Sequence, residues 1–174
     1  MTIYTILVNP ETALKTVSHP VDQVDEIVQA QMQNMLETMY DAPGIGLAAN
    51  QINILNRVLV MDLADASGDE EKTPICMANP EIIFESEERS VWDEGCLSLP
   101  ENFAEVERPA IVRVKYLDET NTMQEGEFEG LASHCVQHEI DHLDGIVFTD
   151  HLSRLKKNII LRKVAKIKKG MDIL

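Results

Sequence analysis

His138-Glu139-Ile140-Asp141-His142 is the stretch of this sequence that says most about its fold and chemistry. On a helix, residues four positions apart project from one face, with Cβ atoms about 5–6 Å apart. His138 and His142 can therefore bind one metal ion, and Glu139 beside them can act as general base in a hydrolysis. Because five residues also occur together by chance on solvated helices, the interpretation requires a third ligand.

The same helix offers no suitable third ligand. His134 and His142 are eight positions apart, about 12 Å along a helix, which is too far for bonds near 2 Å to one ion. Cys135, seven positions from His142, fails for the same reason. Downstream, the histidine of the metzincin pattern is replaced by Phe148, and no glutamate follows Glu139. The candidates that stay open are a residue upstream of the helix, Asp150 and His151.

Upstream, the segment Glu94-Gly95-Cys96-Leu97-Ser98 places a cysteine between strand-like stretches, shortly before the turn-forming Pro100. A Cys96 thiolate would complete a Cys/His/His site and leave the fourth position for water. Most free cysteines, however, are small buried apolar side chains. Both interpretations of Cys96 remain open at this point.

Gly44-Ile45-Gly46-Leu47-Ala48-Ala49 fits the G-x-G-x-x-G/A pattern of dinucleotide-binding loops. That function needs a strand before the loop, whereas the residues before Gly44 have helical periodicity. We therefore expect no nucleotide cofactor, and interpret the glycines as allowing a turn or a close backbone approach. Gln51, just beyond, carries a side-chain amide suited to donate a hydrogen bond to an oxyanion.

The periodicity of apolar residues predicts an α+β fold of one domain spanning residues 1–174. A helix is predicted over 24–39, ending before Pro43. Strands are predicted at 57–61, 82–84 and 111–117, and a helix carrying the H-E-x-x-H between Gly130 and Gly145. A basic amphipathic helix is predicted at about 151–170, with one apolar face formed by Leu152, Leu155, Ile159, Ile160, Val164 and Ile167. Strands clustered between helices are typical of the α+β class.

The charge distribution is strongly asymmetric. The chain has a net charge of -15, with a net of -22 in residues 1–150 and +7 in residues 151–174. The acidic body disfavours nonspecific nucleic-acid binding, while the basic tail can engage RNA locally. No apolar run approaches the ~20 residues of a membrane span. An odd cysteine count and the lack of a signal peptide lead us to expect a cytoplasmic protein that does not enter a membrane.

Segments 44–51, 94–98 and 137–142, in this order, closely resemble the three motifs of the peptide deformylases. Asn9-Pro10-Glu11 through His19-Pro20-Val21 resembles them too, so the resemblance covers nearly the whole chain. It implies an α+β domain in which antiparallel strands surround a central metal-binding helix. The activity it implies is metal-dependent removal of the N-formyl group from the formylmethionine at the N-terminus of newly synthesised polypeptides, with release of formate.

The resemblance also implies the roles of individual residues. Cys96, His138 and His142 would bind one divalent ion, Fe(II) in most members of the family, with nickel, cobalt or zinc as alternatives. Glu139 would be the general acid/base, and Gln51 and the backbone N–H of Leu97 would stabilise the oxyanion. The expected substrate-binding residues are Gly44, Ile45, Gly46, Gly95 and His134.

Two further expectations concern the peptide and the ribosome. Some bacterial members carry an arginine where this sequence has Phe103, so we expect peptide contacts to differ there. The resemblance implies that the basic C-terminal helix docks near the ribosomal exit tunnel. We expect its apolar face, Leu152, Leu155 and Ile159, to pack on the domain, and residues past about Ile160 to contact ribosomal RNA.

Overall fold

The computed structural model describes residues 2–68 and 71–172 and has an α+β fold, as predicted. The helices are α1 (Glu26–Asp41), α2 (Ala64–Ser67), α3 (Gly130–Leu143) and α4 (Arg154–Met171). The strands are β1 (Gly46–Ala48), β2 (Val58–Met61), β3 (Ile75–Glu85), β4 (Arg89–Cys96), β5 (Leu99–Pro109), β6 (Ile111–Leu117) and β7 (Met123–Glu129). Five strands form an antiparallel sheet in the order β1-β2-β3-β6-β7, and β4 and β5 form a separate antiparallel hairpin. No helix in the described residues is long and apolar enough to cross a membrane.

Strand β2 is covered by helices on both faces. Val58 and Val60 belong to the apolar cluster formed with α1, and Leu59 and Met61 belong to the cluster formed with α3. Successive side chains of a strand point to opposite faces, so a continuous apolar run is what a strand buried on both sides requires. The predicted strand is confirmed.

Helix α3 lies between the large sheet and the β4–β5 hairpin. Val136 and Ile140 cluster with sheet residues, whereas the side chains of His134 and His138 contact the hairpin residue Glu94. This confirms the helix predicted between two glycines. Gly145, just after its end, has a φ of 74°, the left-handed conformation common at helix C-termini.

Helix α4 packs on the hairpin through only part of its predicted apolar face. Ile160 and Val164 are buried in a cluster with Val106 of β5, whereas Leu155 is 71% exposed and Ile159 is 44% exposed. Each residue advances about 100° around a helix. The contact is therefore centred on Ile160 and Val164, at one side of the predicted face, and Leu152 also packs against this cluster. The expected packing of Leu155 and Ile159 is wrong.

Candidate active site

Three potential metal ligands converge where the β4–β5 hairpin meets α3. The ligand atoms of Cys96, His138 and His142 all lie within 4.8 Å of one another. His142 Nε2 is 3.2 Å from Cys96 Sγ and 3.2 Å from His138 Nε2. Tetrahedral ligands with bonds of ~2.0–2.3 Å are separated by roughly 3.3–3.6 Å. The donor set and its spacing therefore fit one metal ion.

The alternative third ligands are engaged elsewhere. His151 Nε2 lies 2.8 Å from Asp141 Oδ2, and Asp150 accepts a hydrogen bond from Lys15 at 2.7 Å. Within the part of the chain that the structure describes, no other group of three histidine, cysteine or acidic side chains is arranged to hold an ion. The geometry favours the upstream candidate, Cys96.

A buried carboxylate orients His138. Glu94 Oε1 is 2.9 Å from His138 Nδ1, and Glu94 Oε2 is 3.1 Å from His134 Nδ1. Arg108 donates to both carboxylate oxygens, at 2.7 and 2.9 Å. Burial opposes ionisation of Glu94, but the bonds from His134, His138 and Arg108 outweigh it and hold its pKa well below the usual range. With Nδ1 bonded to Glu94, His138 directs Nε2 at the other ligands.

Sequence reasoning gave Glu94 and Arg108 no role. Glu94 lies two positions before Cys96 in a segment that was recognised, so its acidic side chain beside a ligand was the available signal. Arg108 lies outside every motif, and its other contact, a bond of 2.8 Å to Asp141, joins the hairpin to α3.

Glu139 is buried beside the glycine loop. A Cβ at Gly46 would lie only 2.5 Å from Glu139 Oε1, so the absence of a side chain there makes room for this carboxyl. Among the described residues, Glu139 Oε2 has no hydrogen-bond partner. Burial, partly opposed by the charge of His138, raises the pKa of Glu139 to about 7. Such a carboxyl can accept and return a proton near neutral pH.

The side-chain amide of Gln51 is held in one orientation. Its Oε1 accepts a hydrogen bond from the backbone N–H of Ala48 at 2.9 Å. Its Nε2 is 3.1 Å from Ser98 Oγ and 3.6 Å from Cys96 Sγ. The amide N–H₂ therefore points to the same side as the ligands. Leu97 immediately follows Cys96, in the turn between β4 and β5.

A cavity of about 430 Å³ adjoins these groups and is bounded by the glycine loop, the hairpin and α3. Gln51, Cys96, His138 and Glu139 all line it. So do the five expected substrate-binding residues, Gly44, Ile45, Gly46, Gly95 and His134. The sequence gave no indication that the aromatic ring of Trp92 or the side chain of Leu131 would also line it.

One cavity brings together this donor set, a carboxyl with a pKa near 7 and an oriented amide. Together they define a hydrolytic metal centre. Residues 3–158 match the family model of polypeptide deformylase, and the chain belongs to this family.

Comparisons with individual proteins agree. The chain is 50% identical to peptide deformylase of Rhizorhabdus wittichii over 173 residues, which is 98% of both proteins. It is 52% identical to that of Methylocella silvestris over 170 residues, 97% of this chain and 87% of the relative. The crystal structure of peptide deformylase from Ehrlichia chaffeensis matches with a TM-score of 0.92 at 34% identity, covering 99% of this chain and 100% of that one. A structure of that enzyme in complex with actinonin matches with a TM-score of 0.90 at 36% identity, covering 95% and 98%.

The protein is therefore a metalloenzyme that hydrolyses the formyl amide of formylmethionine at the N-terminus of newly synthesised polypeptides and releases formate. This confirms the activity that the motifs implied.

Proposed function

We propose that Cys96, His138 and His142 bind the catalytic ion of this deformylase. The observation that carries the proposal is the 3.2 Å spacing of His142 Nε2 from both other ligand atoms. Burial lowers the pKa of His142, whereas for His138 burial is outweighed by hydrogen bonds to Cys96 and Glu94, which raise its pKa, so an ion bound by both imidazoles would displace a proton from His138. When bound, a divalent ion supplies Lewis acidity toward the water and the formyl oxygen.

The remaining groups transfer a proton and stabilise the negative charge that develops on the substrate. Glu139 accepts a proton from the attacking water and passes it to the leaving amine as the C–N bond breaks. The negative charge that develops on the formyl oxygen receives hydrogen bonds from Gln51 Nε2 and the backbone N–H of Leu97. A pKa of about 7 suits Glu139 to both proton transfers.

The cavity receives the methionine side chain. Gly44, Ile45, Gly46 and Gly95 contribute walls that are mostly backbone and aliphatic carbon. The ring nitrogens of His134 contact Glu94 and Ser90 Oγ, the latter at 2.9 Å. With both nitrogens engaged, the ring offers carbon atoms to the cavity, which suits an apolar substrate side chain.

The native ion in this proposal is Fe(II), with zinc, nickel and cobalt as replacements. One thiolate and two imidazoles bind all four ions, and family resemblance favours iron. The test is anaerobic loading of the metal-free protein with each ion, followed by metal analysis and the rate of formate release. Fe(II) is expected to give the highest turnover, and a higher rate with zinc would contradict the assignment.

The ligand set is tested with formyl-Met-Ala as substrate under the same anaerobic conditions. Cys96→Ala should lose bound metal and activity together. Glu139→Ala should keep the metal and lose about 10²–10⁴-fold in turnover. Cys76→Ala, which removes a thiol from the α1 cluster, is the matched control and should retain its metal. Full metal content and activity in Cys96→Ala would exclude this site.

We further propose that the enzyme works in the cytoplasm and contacts ribosomal RNA through α4. Residues 151–174 carry a net charge of +7, and the basic side chains past Ile160 include the exposed Arg162, Lys163 and Lys166. Truncation would remove the buried Val164, so substituting these three by glutamate tests charge without removing the packing. Ribosome co-sedimentation should weaken in the variant and in wild type at high salt. Unchanged co-sedimentation at low salt would exclude RNA contact.

A further inference from the structure

Phe103 is a large aromatic side chain at the mouth of the catalytic cavity. It is 66% exposed, and its ring lies over Gly95 of the neighbouring strand. A Cβ at Gly95 would approach the ring to 2.4 Å, so the glycine allows the ring to rest on the strand beside Cys96. The ring forms part of the cavity wall.

A second cavity of about 270 Å³ begins at the same ring and lies between β5 and α4. Apolar side chains contribute much of its lining, because Ala104, Ile159 and Ile160 face it. Glu105 and Lys156 add one charge of each sign. Phe103 lines both cavities, so the groove between β5 and α4 adjoins the catalytic cavity at this ring.

We propose that this groove binds the formylated polypeptide downstream of its first residues, with an apolar substrate side chain against Ile159. The inference rests on the proposed catalytic site. The substrate is a polypeptide, so the residues after methionine have to leave the catalytic cavity along its rim, and the groove begins at Phe103, which also lines that cavity. An extended substrate chain advances about 3.3 Å per residue. It therefore needs about two substrate residues beyond the one that contacts Phe103 to run past Ala104 and Glu105 of the enzyme.

The first experiment is a leucine scan. Formylated heptapeptides with methionine first and serine elsewhere carry one leucine at each position from three to seven. The holoenzyme should hydrolyse one or two of them with a kcat/KM roughly 3–10-fold above that of the all-serine peptide, because partial burial of a leucine is worth that much. The gain should lie in KM, since the contact is remote from the reacting bond. A flat scan would overturn the proposal.

The second experiment locates the gain. Ile159→Ser should abolish the preference for leucine over serine at the responsive position. Leu155→Ser is the matched control, since Leu155 precedes Ile159 by one turn of α4, is 71% exposed and does not line the groove. It should keep the preference. The proposal would be overturned if the preference for leucine survived in Ile159→Ser. It would also be overturned if both variants lost that preference. If wild type fails to hydrolyse even formyl-Met-Ser, the catalytic assignment fails and this inference falls with it.

Discussion

Replacing Glu94 by glutamine keeps the shape of the side chain and removes the charge that His134, His138 and Arg108 all contact. One carboxylate oxygen faces both His134 and Arg108, and the other faces His138 and Arg108. Glutamine has one oxygen and one N–H₂ group, so its N–H₂ must face the Arg108 guanidinium. A donor then opposes a donor in a site where Glu94 is only 7% exposed.

The expected magnitudes follow from these contacts. Removing one partner of a buried ion pair costs about 3–5 kcal/mol. Arg108 keeps Asp141 at 2.8 Å, so its charge stays partly compensated and we expect a loss nearer 2–3 kcal/mol in the free energy of unfolding of the metal-free protein. Loss of a group that orients a ligand histidine weakens metal binding by roughly 10–100-fold.

Two measurements check this prediction, namely urea unfolding of the metal-free protein and metal affinity by competition with a chelator. Glu107→Gln on β5 is the matched control, because its carboxylate is 63% exposed and only 3.9 Å from Arg89. Its unfolding free energy should change by no more than about 0.5 kcal/mol. Metal affinity of Glu94→Gln within twofold of wild type would refute the orienting role of Glu94.

Gly46→Ala should lower turnover by at least about tenfold while metal content is kept, because the new Cβ would lie 2.5 Å from Glu139 Oε1 and displace this carboxyl. Unchanged turnover with bound metal would contradict this prediction. Asp150 has a pKa lowered to about 2, since hydrogen bonds from Lys15 and Lys157 outweigh the effect of burial. Its contribution to stability is present above the unfolded pKa of 3.8 and is lost as pH falls through about 2. Asp150→Asn should therefore cost about 1 kcal/mol at pH 7, after allowing for solvent screening, and only a small part of that near pH 2, which urea titrations at both pH values will show. Removing the metal should lower Tm by roughly 5–10 °C, since an ion at a hundred times its Kd adds about 2.7 kcal/mol to the free energy of unfolding. Equal Tm values for the metal-free and metal-loaded protein by calorimetry would argue against binding to the native state.

Local patterns predicted the elements in which one face or both faces are buried. The alternation of Val112 and Val114 with Arg113 and Lys115 corresponds to strand β6, whose bounds match the prediction. The bounds of β1, β4, β5 and β7 were not predicted, and in β5 and β7 proline, glycine and many acids interrupt the apolar pattern. Their pairing with β4 and β6 decides their structure, and pairing partners leave little trace in a single strand.

The same distinction between local patterns and long-range contacts applies to the active-site residues. The helical spacing of His138 and His142 predicted two ligands, while Cys96, more than forty positions away, depended on family resemblance until the geometry was known. The contacts of Glu94 span 14 to 44 positions along the chain and have no periodicity to reveal them. For α4, periodicity gave the helix and placed the buried Ile160 and Val164 on its apolar face. It could not show that Leu155 and Ile159 stay exposed, because the hairpin that selects the contact is distant in sequence.

The three proposed ligands lie on two different structural elements, and this has a mechanical consequence. Cys96 belongs to the hairpin, and His138 and His142 belong to the helix that covers the large sheet. An ion held by all three fastens the hairpin to the sheet and helix behind it, and any motion that parts them must break a metal–ligand bond. Removing the ion should therefore make local opening between the hairpin and α3 easier, which amide hydrogen exchange of α3 in the metal-free and metal-loaded protein would show.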